Sequence, residues 1–429
     1  MALITMDRKT SFAIGAVFLL HFFAGALSSS APKKHILILG GNGFIGGVTT
    51  LSLLDNGHHV TLLNRGNPYY DSDKRIKPHA SRQINCDREK SLLLECKELI
   101  DDETFYDVVI DFTSFSPKHV SQILDALSGR IGLYVFISSE AVYEVSAKNH
   151  TQPSKEGEAT RPVSPNRRQE LQKALPYGDQ KLACEELLMQ QTKNGVPYLI
   201  LRLPIAIGPR DTTYRWWIYQ LWIITHDVIR HPVHIPNGVR SDLFSLVHVD
   251  DVADVISRIV AMDTLSIENK VVNLALKEHI TLPRVIRDIA SYYGIDNVQH
   301  EGDDKSTWYV YPAGTKGPLD ISRAQELLEW DPMPWKQAVE KTCEFYHNAM
   351  TKDDYLKEKE IVLADMLDNI VPDELYDAFL LKLKQQFGET VLAGVDLDVG
   401  IPEGALEIDS EPLQSSAGEN DSERMAEEL

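Results

Sequence analysis

The sequence predicts an α/β fold: a doubly wound parallel sheet with helices on both faces, followed by a smaller C-terminal substrate lobe. Three observations support this prediction. Short apolar runs that suit buried parallel strands alternate with helix-like patterns over about residues 34–201. A glycine-rich turn joins the first apolar run to a helix-like pattern. The composition, 43% hydrophobic and 25% charged residues, is that of an ordinary globular protein.

The first apolar run, His35–Leu39, leads directly into a turn that carries Gly40, Gly43 and Gly46. A helix-like pattern follows, and His59–Asn64 then forms a second strand-like run. Glycines at this spacing let the backbone approach a pyrophosphate, and the helix N-terminus offers N–H groups to that anion. The order strand, turn, helix, strand therefore predicts a Rossmann-type dinucleotide site.

The end of the second strand bears on the choice between NAD and NADP. A carboxylate at this place holds the ribose 2′-hydroxyl of NAD, whereas an arginine suits the 2′-phosphate of NADP. The chain has Asn64-Arg65 there and no acidic residue. We therefore expect NADP or NAD as the cofactor, with a preference for NADP.

A candidate catalytic group follows another buried-strand run, Leu133–Ile137, which ends in Ser138-Ser139. Further along, Tyr177 and Lys181 lie four residues apart in a helix-like segment and so share one helix face. A nearby ammonium favours the phenolate form of a tyrosine, which lowers its pKa towards the working range of an acid/base. A nicotinamide would carry the hydride, because no protein side chain can.

Taken together, the motifs resemble the extended short-chain dehydrogenase/reductase superfamily, in particular its NAD-dependent epimerase/dehydratase group. The resemblance covers about residues 34–347. Besides the glycine turn, the residues that carry it are Asp87-Arg88, Ser138-Ser139 with Val142-Tyr143, Tyr177 with Lys181, Leu201–Pro204 with Gly208–Asp211, Val247–Ala253, Val272–Ala275, and Asp320–Ala324 with Leu328–Pro332.

This resemblance implies roles for individual residues. Ser139, Tyr177 and Lys181 would be catalytic, with Tyr177 as the acid/base. Glu140 could add a second acid/base group. Cofactor contacts would come from Gly40, Gly43, Phe44, Ile45, Gly46, Asn64, Arg65, Asp87 and Arg88, and substrate contacts from Glu140, Arg210 and Arg240.

Two departures from the family pattern stand out. Cys86 replaces the usual glycine before Asp87-Arg88. A polar insert, residues 148–172, lengthens the stretch between Ser139 and Tyr177. The insert could be a flexible lid that brings Arg161, Arg167 or Arg168 to a phosphorylated substrate, or simply a solvated loop.

The N-terminal segment predicts where the protein is located. Arg8 and Lys9, the apolar run 12–27 and the small residues 28–31 follow the order of a secretory signal peptide. We therefore predict that residues 1–31 are a cleaved signal peptide or an uncleaved membrane anchor, with neither as the remaining alternative, and we expect the secretory pathway, that is, the ER lumen or the exterior. The four cysteines show no metal-ligand spacing, so no metal site is expected.

The acidic charge is concentrated at the C-terminus. The formal net charge is −20, and residues 396–429 carry eleven acidic residues against one basic residue. We predict a domain over residues 32–350 with its substrate lobe mainly at 204–335, a helical extension at 351–393, and a disordered acidic tail at 394–429. The acidity gives no support to binding of nucleic acid phosphates.

The leading hypothesis is an NAD(P)-dependent epimerase, dehydratase or reductase that acts on a nucleotide-sugar, with a homodimer as one possible assembly. One alternative is a non-catalytic nucleotide- or RNA-binding protein on the same fold, since the chloroplast stem-loop RNA-binding proteins share the Asn-Arg-Gly pattern after the second strand. Another is a steroid-type dehydrogenase held in the ER membrane by the N-terminal segment.

Overall fold

The computed structural model describes residues 32–396 except 89, 91, 193, 231, 297 and 303–314. The predicted targeting segment and nearly all of the predicted acidic tail lie outside these residues. The strands of the described part are β1 (His35–Leu39), β2 (His59–Asn64), β3 (Arg82–Asn85), β4 (Tyr106–Asp111), β5 (Ile131–Ser139), β6 (Tyr198–Leu203), β7 (Ile205–Ile207), β8 (Val233–His234), β9 (Leu246–His248), β10 (Lys270–Asn273) and β11 (His300–Glu301).

Helices connect most of these strands. In chain order they are α1 (Phe44–Asp55), α2 (Ser72–Arg75), α3 (Leu92–Glu95), α4 (Lys97–Ile100), α5 (Pro117–Ala126), α6 (Ala141–Glu144), α7 (Pro165–Ala174), α8 (Pro176–Met189), α9 (Arg215–Ile224), α10 (His226–Ile229), α11 (Val249–Ala261), α12 (Thr264–Ile267), α13 (Leu282–Tyr292), α14 (Ser322–Leu328), α15 (Trp335–Thr351), α16 (Leu356–Asn369) and α17 (Tyr376–Phe387).

A seven-stranded parallel sheet in the order β10-β6-β5-β4-β1-β2-β3 forms the centre of the fold. Neighbouring residues of each strand face opposite sides: Ile36 and Ile38 pack into one apolar cluster, Leu37 and Leu39 into another. Both faces are buried, so the strands are almost continuously apolar. The predicted fold class is confirmed.

The sheet extends further along the chain than the predicted limit at residue 201. Its edge strand β10 pairs in parallel with β6, with Val272 opposite Leu201. β10 has only four residues, too few to show a strand pattern, and only its pairing with β6 identifies it.

The C-terminal lobe has a large aromatic core. Trp216, Trp217 and Trp222 of α9 are almost fully buried against α13, α15, α16 and α17. The helices predicted near the C-terminus are present, and Phe379 and Leu383 share the buried face of α17 as their spacing indicated. Among the described residues, no helix is both long and apolar enough to span a membrane.

Candidate functional site

The glycine turn joins β1 to α1 with very close backbone packing. Gly40 has a φ of 83°, in the left-handed region that glycine adopts readily. A Cβ on Gly46 would lie 2.2 Å from the carbonyl oxygen of Gly40, so no larger residue fits there. Gly43 is the N-cap of α1, and no side chain in the described part of the chain caps this helix end. The turn therefore fits a pyrophosphate held by backbone N–H groups.

Phe44 and Ile45 can take part in such binding only through their backbone. Their side chains are 4% and 3% exposed and belong to the core between the sheet and α1. The glycine turn thus combines a packed apolar side with an exposed end of the helix, which is what a dinucleotide cradle needs.

Asn64 shapes the turn at the end of β2. Its Oδ1 accepts a hydrogen bond from the backbone N–H of Gly66 at 2.8 Å, and Gly66 has a φ of 86°. The side chain of Arg65 is exposed beside this turn. The guanidinium of Arg65 therefore lies at the end of β2, where the adenosine ribose lies in Rossmann-type sites.

The loop after β3 is crosslinked. Cys86 and Cys96 form a disulfide whose Cα atoms are 5.2 Å apart, and it closes the segment that carries Asp87 and Arg88. The sequence pattern marked Cys86 only as a departure from the family glycine. The ten-residue separation of two cysteines is the signal that was available.

Arg88 points into the protein. Its guanidinium pairs with the buried carboxylate of Asp111, donates to Ser114 Oγ at 3.0 Å, and donates to the carbonyl oxygen of His119 at 2.7 Å. Asp87 stays half-buried at the surface. Of these two predicted cofactor contacts, Arg88 is therefore bound inside the protein, whereas Asp87 lies nearer the surface.

Asp111, at the carboxyl end of β4, organises the next layer of contacts. It accepts hydrogen bonds from the Ser114 hydroxyl and from Tyr134 Oη, both at 2.5 Å. Burial favours the neutral acid, but Arg88 and these hydroxyl groups hold the pKa of Asp111 below its ordinary value. The carboxylate is therefore charged and fixes the position of Ser114.

Lys181 lies next to Ser114 and is fully buried. Its Nζ donates to the carbonyl oxygens of Ser114 and Ile137, both at 3.0 Å. It also lies 4.8 Å from the ring centre of Phe115 and 5.9 Å from that of Tyr177. Burial lowers the pKa of Lys181 to about 8.

Tyr177 is brought next to the end of β5 by a glycine. A Cβ on Gly178 would lie 2.4 Å from the carbonyl oxygen of Ala141, so α8 packs against this segment without any intervening side chain. The backbone N–H of Ala141 in turn donates to Ser139 Oγ at 3.2 Å. Tyr177, Lys181 and Ser139 are thus carried by two elements in close backbone contact.

A second buried hydrogen-bond network holds helix α8 at Glu185, one turn after Lys181. Glu185 receives both arms of the Arg202 guanidinium, at 2.6 and 3.0 Å, and accepts from Ser138 Oγ at 2.5 Å. Arg202 also donates to Tyr143 Oη, which donates to Asn273 of β10. The network joins α8 to β5, β6 and β10.

Glu140 follows Ser139 and is half-buried. Burial, and then repulsion from Glu144, raise the pKa of Glu140 to about 8. The carboxyl therefore carries its proton at neutral pH, as a general acid must.

The residues expected to contact substrate differ in their surroundings. Arg210 is 3% exposed, pairs with Asp71, and donates to the carbonyl oxygen of Tyr69 at 3.2 Å. Its guanidinium therefore serves an internal ion pair. The Nε of each arginine has no hydrogen-bond partner among the described residues, but Arg240 is only half-buried and is therefore more accessible. Of the two, Arg240 is the better placed to meet a ligand.

The polar insert is anchored rather than free. Arg161 pairs with Asp179 of α8, and its Nε lies 2.9 Å from Glu186. The insert also contains α7, which the sequence pattern did not predict. The expectation that a flexible lid brings Arg161 to a substrate is therefore wrong, because the Arg161 guanidinium is already paired with two carboxylates of α8.

Several residues that shape the site were not predicted from the sequence: Asp111, Ser114, Phe115, Gly178 and the Glu185–Arg202 pair. Asp111 gave the clearest available signal, since a charged residue at the end of an apolar strand run faces the ligand edge of a parallel sheet. The others act through partners far along the chain, and no local pattern marks them.

The chain belongs to the NAD dependent epimerase/dehydratase family, whose model matches residues 36–275, more than half of the sequence. The resemblance found in the motifs is thereby confirmed. A curated relative, the chloroplast stem-loop binding protein of 41 kDa b from Arabidopsis thaliana, is 25% identical over 359 residues, which cover 80% of this chain and 86% of the plant protein.

Solved structures with the same fold include nucleotide-sugar enzymes. UDP-glucose 4-epimerase from Thermotoga maritima, solved with UDP-glucose, is 19% identical with a TM-score of 0.56 and covers 74% of this chain and 99% of its own. dTDP-glucose 4,6-dehydratase from Bacillus anthracis, solved with NAD, is 16% identical with a TM-score of 0.57 and covers 76% and 99%. At these identities the similarity establishes the fold.

Proposed function

We propose that this protein is an NAD(P)-dependent epimerase, dehydratase or reductase that acts on a nucleotide-sugar. The observation that carries the proposal is the position of Lys181 beside Tyr177, on a helix in close backbone contact with the segment that holds Ser139. Family membership and the nucleotide-sugar ligands of the similar structures support the substrate class.

Each catalytic side chain has a separate task. Tyr177 exchanges a proton with the substrate hydroxyl or carbonyl, and Ser139 orients that oxygen by a hydrogen bond. The charged form of Lys181 favours the phenolate of Tyr177. Glu140, protonated at neutral pH, supplies a second proton where the reaction eliminates water. A nicotinamide cofactor, when bound, would supply the hydride chemistry that these side chains cannot.

The glycine turn and the end of β2 would hold this cofactor. Backbone N–H groups at Gly43–Gly46 would bind the pyrophosphate, and Arg65 would pair with a 2′-phosphate. We therefore propose NADP as the preferred cofactor. Arg65→Ala should weaken NADPH binding more than NADH binding in a fluorescence titration, and equal weakening would contradict the preference.

The central experiment is turnover of candidate sugars. The purified full chain is incubated with UDP-, GDP- and dTDP-sugars, and products and bound cofactor are identified by mass spectrometry. Tyr177→Phe should then reduce turnover by about 10²–10⁴-fold, because it removes the acid/base hydroxyl and keeps the ring. Tyr292→Phe, at a tyrosine that is 38% exposed on α13, is the matched control. Full activity of Tyr177→Phe would exclude the proposed mechanism.

A second candidate is a non-catalytic nucleotide- or RNA-binding function, which the similarity to the plant stem-loop binding protein favours. The net charge of −20 weighs against it. Binding of a stem-loop RNA whose affinity falls steeply with salt, in a preparation that shows no sugar turnover, would support this alternative.

We further propose that the protein resides in the secretory pathway. The Cys86–Cys96 disulfide supports an oxidising compartment, and Asn149, in an Asn-His-Thr sequon, is exposed. Expression in secretory cells should give a chain whose mobility changes on removal of N-linked glycans and whose Asn149→Gln variant shows a smaller change. A chain recovered only without glycans and from the cytosol would contradict this location.

A further inference from the structure

The segment that follows β2 is held from the far end of the chain. We name residues 65–76 the β2 loop; it begins with Arg65 and Gly66 and ends with α2. Its Tyr70 N–H donates to Glu358 Oε1 of α16 at 2.7 Å, although the two residues are 288 positions apart. Glu358 is 5% exposed, so this hydrogen bond is shielded from water.

Further contacts join the same two segments. Lys74 pairs with Asp354, and Tyr355 Oη donates to Asp71 at 3.4 Å. The rings of Tyr70 and Tyr355 lie edge to face with centres 5.5 Å apart. The β2 loop therefore meets the C-terminal extension (residues 351–393) through polar and aromatic contacts together.

The backbone at the point of attachment is one that needs such support. Tyr70 has a φ of 50°, in the left-handed region that bulky residues rarely adopt. Conformations of this kind persist only where surrounding contacts hold them. Here the supports are Glu358 at the backbone N–H and the carbonyl oxygen of Asp211, which accepts from Tyr70 Oη at 2.7 Å.

The other end of the β2 loop borders the glycine turn. Asn42, between Gly41 and Gly43, is 6% exposed, and its side-chain amide lies 3.5 Å from the carbonyl oxygen of Asn67. Arg65 precedes this contact by two residues. A displacement of Tyr70 would thus reach the guanidinium of Arg65 through a few residues of connected backbone.

We infer that the C-terminal extension is part of the cofactor site, because α16 fixes the β2 loop in the position where Arg65 meets the adenosine ribose. This inference rests on the proposed function and assigns a role to a segment that lies beyond the matched family region, which ends at residue 275. Glu358 is a positioning residue: it acts on the cofactor through Tyr70 and the loop.

The test compares Glu358→Ala with Glu358→Gln in the full chain. Alanine removes the acceptor of the Tyr70 N–H, whereas the glutamine amide oxygen still accepts that hydrogen bond. Lys382→Ala is the control, since Lys382 lies in the same extension but pairs with Asp227 of α10 at 2.7 Å, away from the loop. Should Glu358→Ala fail to fold, Glu358→Asp shortens the side chain more mildly.

Two measurements are made on each variant: hydrogen–deuterium exchange of peptides from residues 65–76 and 36–47, and affinity for NADPH and NADH by fluorescence titration. Glu358→Ala should raise exchange in 65–76 only and weaken NADPH binding by at least about threefold, the effect of one lost hydrogen bond. Glu358→Gln and Lys382→Ala should match the wild type.

Unchanged NADPH affinity in Glu358→Ala, or equal weakening in Glu358→Gln, would overturn the inference alone. Exchange raised equally in both peptides would also overturn it, since it would show general destabilisation. A wild-type chain that binds neither NADPH nor NADH would overturn the proposed function together with this inference.

Discussion

Lys181 and Glu185 are one turn apart on α8, yet each belongs to a different buried network. Lys181 donates to the neutral carbonyl oxygens of Ser114 and Ile137, and burial lowers its pKa to about 8. Glu185 instead accepts hydrogen bonds from Nε and Nη2 of Arg202. Burial alone would lower the pKa of Arg202, but Glu185 raises it above its ordinary value.

This difference separates the proposed chemical role of Lys181 from the structural role of the Glu185–Arg202 ion pair. The charge of Lys181 is only weakly compensated, so it can change with pH, as the role proposed for it beside Tyr177 requires. The charges of Glu185 and Arg202 compensate each other and stay fixed, so they hold α8 against β5 and β6. Helix α8 therefore carries the proposed reactive group, Lys181, and the structural ion-pair residue, Glu185, on successive turns.

Breaking the buried ion pair between Glu185 and Arg202 should have the largest effect on the free energy of unfolding. Arg202→Met leaves Glu185 buried without its partner, and the free energy of unfolding should fall by about 3–5 kcal/mol. Denaturant unfolding followed by circular dichroism measures this. Arg167→Met is the control, because Arg167 pairs with Glu170 at the surface, where a pair contributes about 0–1 kcal/mol. Equal losses in the two variants would refute the anchoring role of Arg202.

Gly178→Ala should have the second-largest effect on the free energy of unfolding. The added Cβ would lie 2.4 Å from the carbonyl oxygen of Ala141, so α8 must shift away from the Ser139 segment. We expect a loss of about 1–3 kcal/mol in the free energy of unfolding, typical of overpacking, together with reduced turnover. Gly157→Ala is the control, since a Cβ there meets no atom within 4 Å. A Gly178→Ala enzyme with wild-type stability and turnover would show that the close contact is dispensable.

Glu140→Gln should have a smaller effect that depends on pH. The pKa of Glu140 is raised from 4.5 to about 8, so between these values the folded state holds a proton that the unfolded chain has lost. Wild-type stability therefore falls as pH rises through this window. Because solvent partly screens this half-buried side chain, the gain is smaller than the full shift implies, and the variant should gain about 1–2 kcal/mol over the wild type by pH 8–9 and nothing near pH 4.5. Thermal unfolding across pH 4–9 tests this, and a constant difference would contradict it.

Lys181→Met should change stability least at neutral pH, by less than about 1 kcal/mol, because an apolar residue replaces a weakly compensated buried charge. Between pH 8 and 10.5 the unfolded chain holds a proton that folded Lys181 has released, so wild-type stability rises with pH there. The variant should lack this rise and should lose turnover. A rise that persists in Lys181→Met would assign that titration to another group.

Parts of this protein were predictable because their signal is local. β1 and β2 begin and end where the apolar runs do, since a strand buried on both faces needs an uninterrupted apolar sequence. The glycine spacing and the four-residue spacing of Tyr177 and Lys181 follow from single turns of backbone. The catalytic and cofactor roles of these residues stay predictions until turnover and binding are measured.

The amino-acid sequence by itself therefore determined the parallel sheet, the glycine turn and the order of the family motifs. Only the tertiary structure decided what these residues contact. Arg88 turned inward to Asp111, Arg161 was bound to α8, and Glu358 reached Tyr70 across 288 positions. The physical reason is that ion pairs and hydrogen bonds depend on distance in space, and no periodicity along the chain encodes which distant side chain completes them.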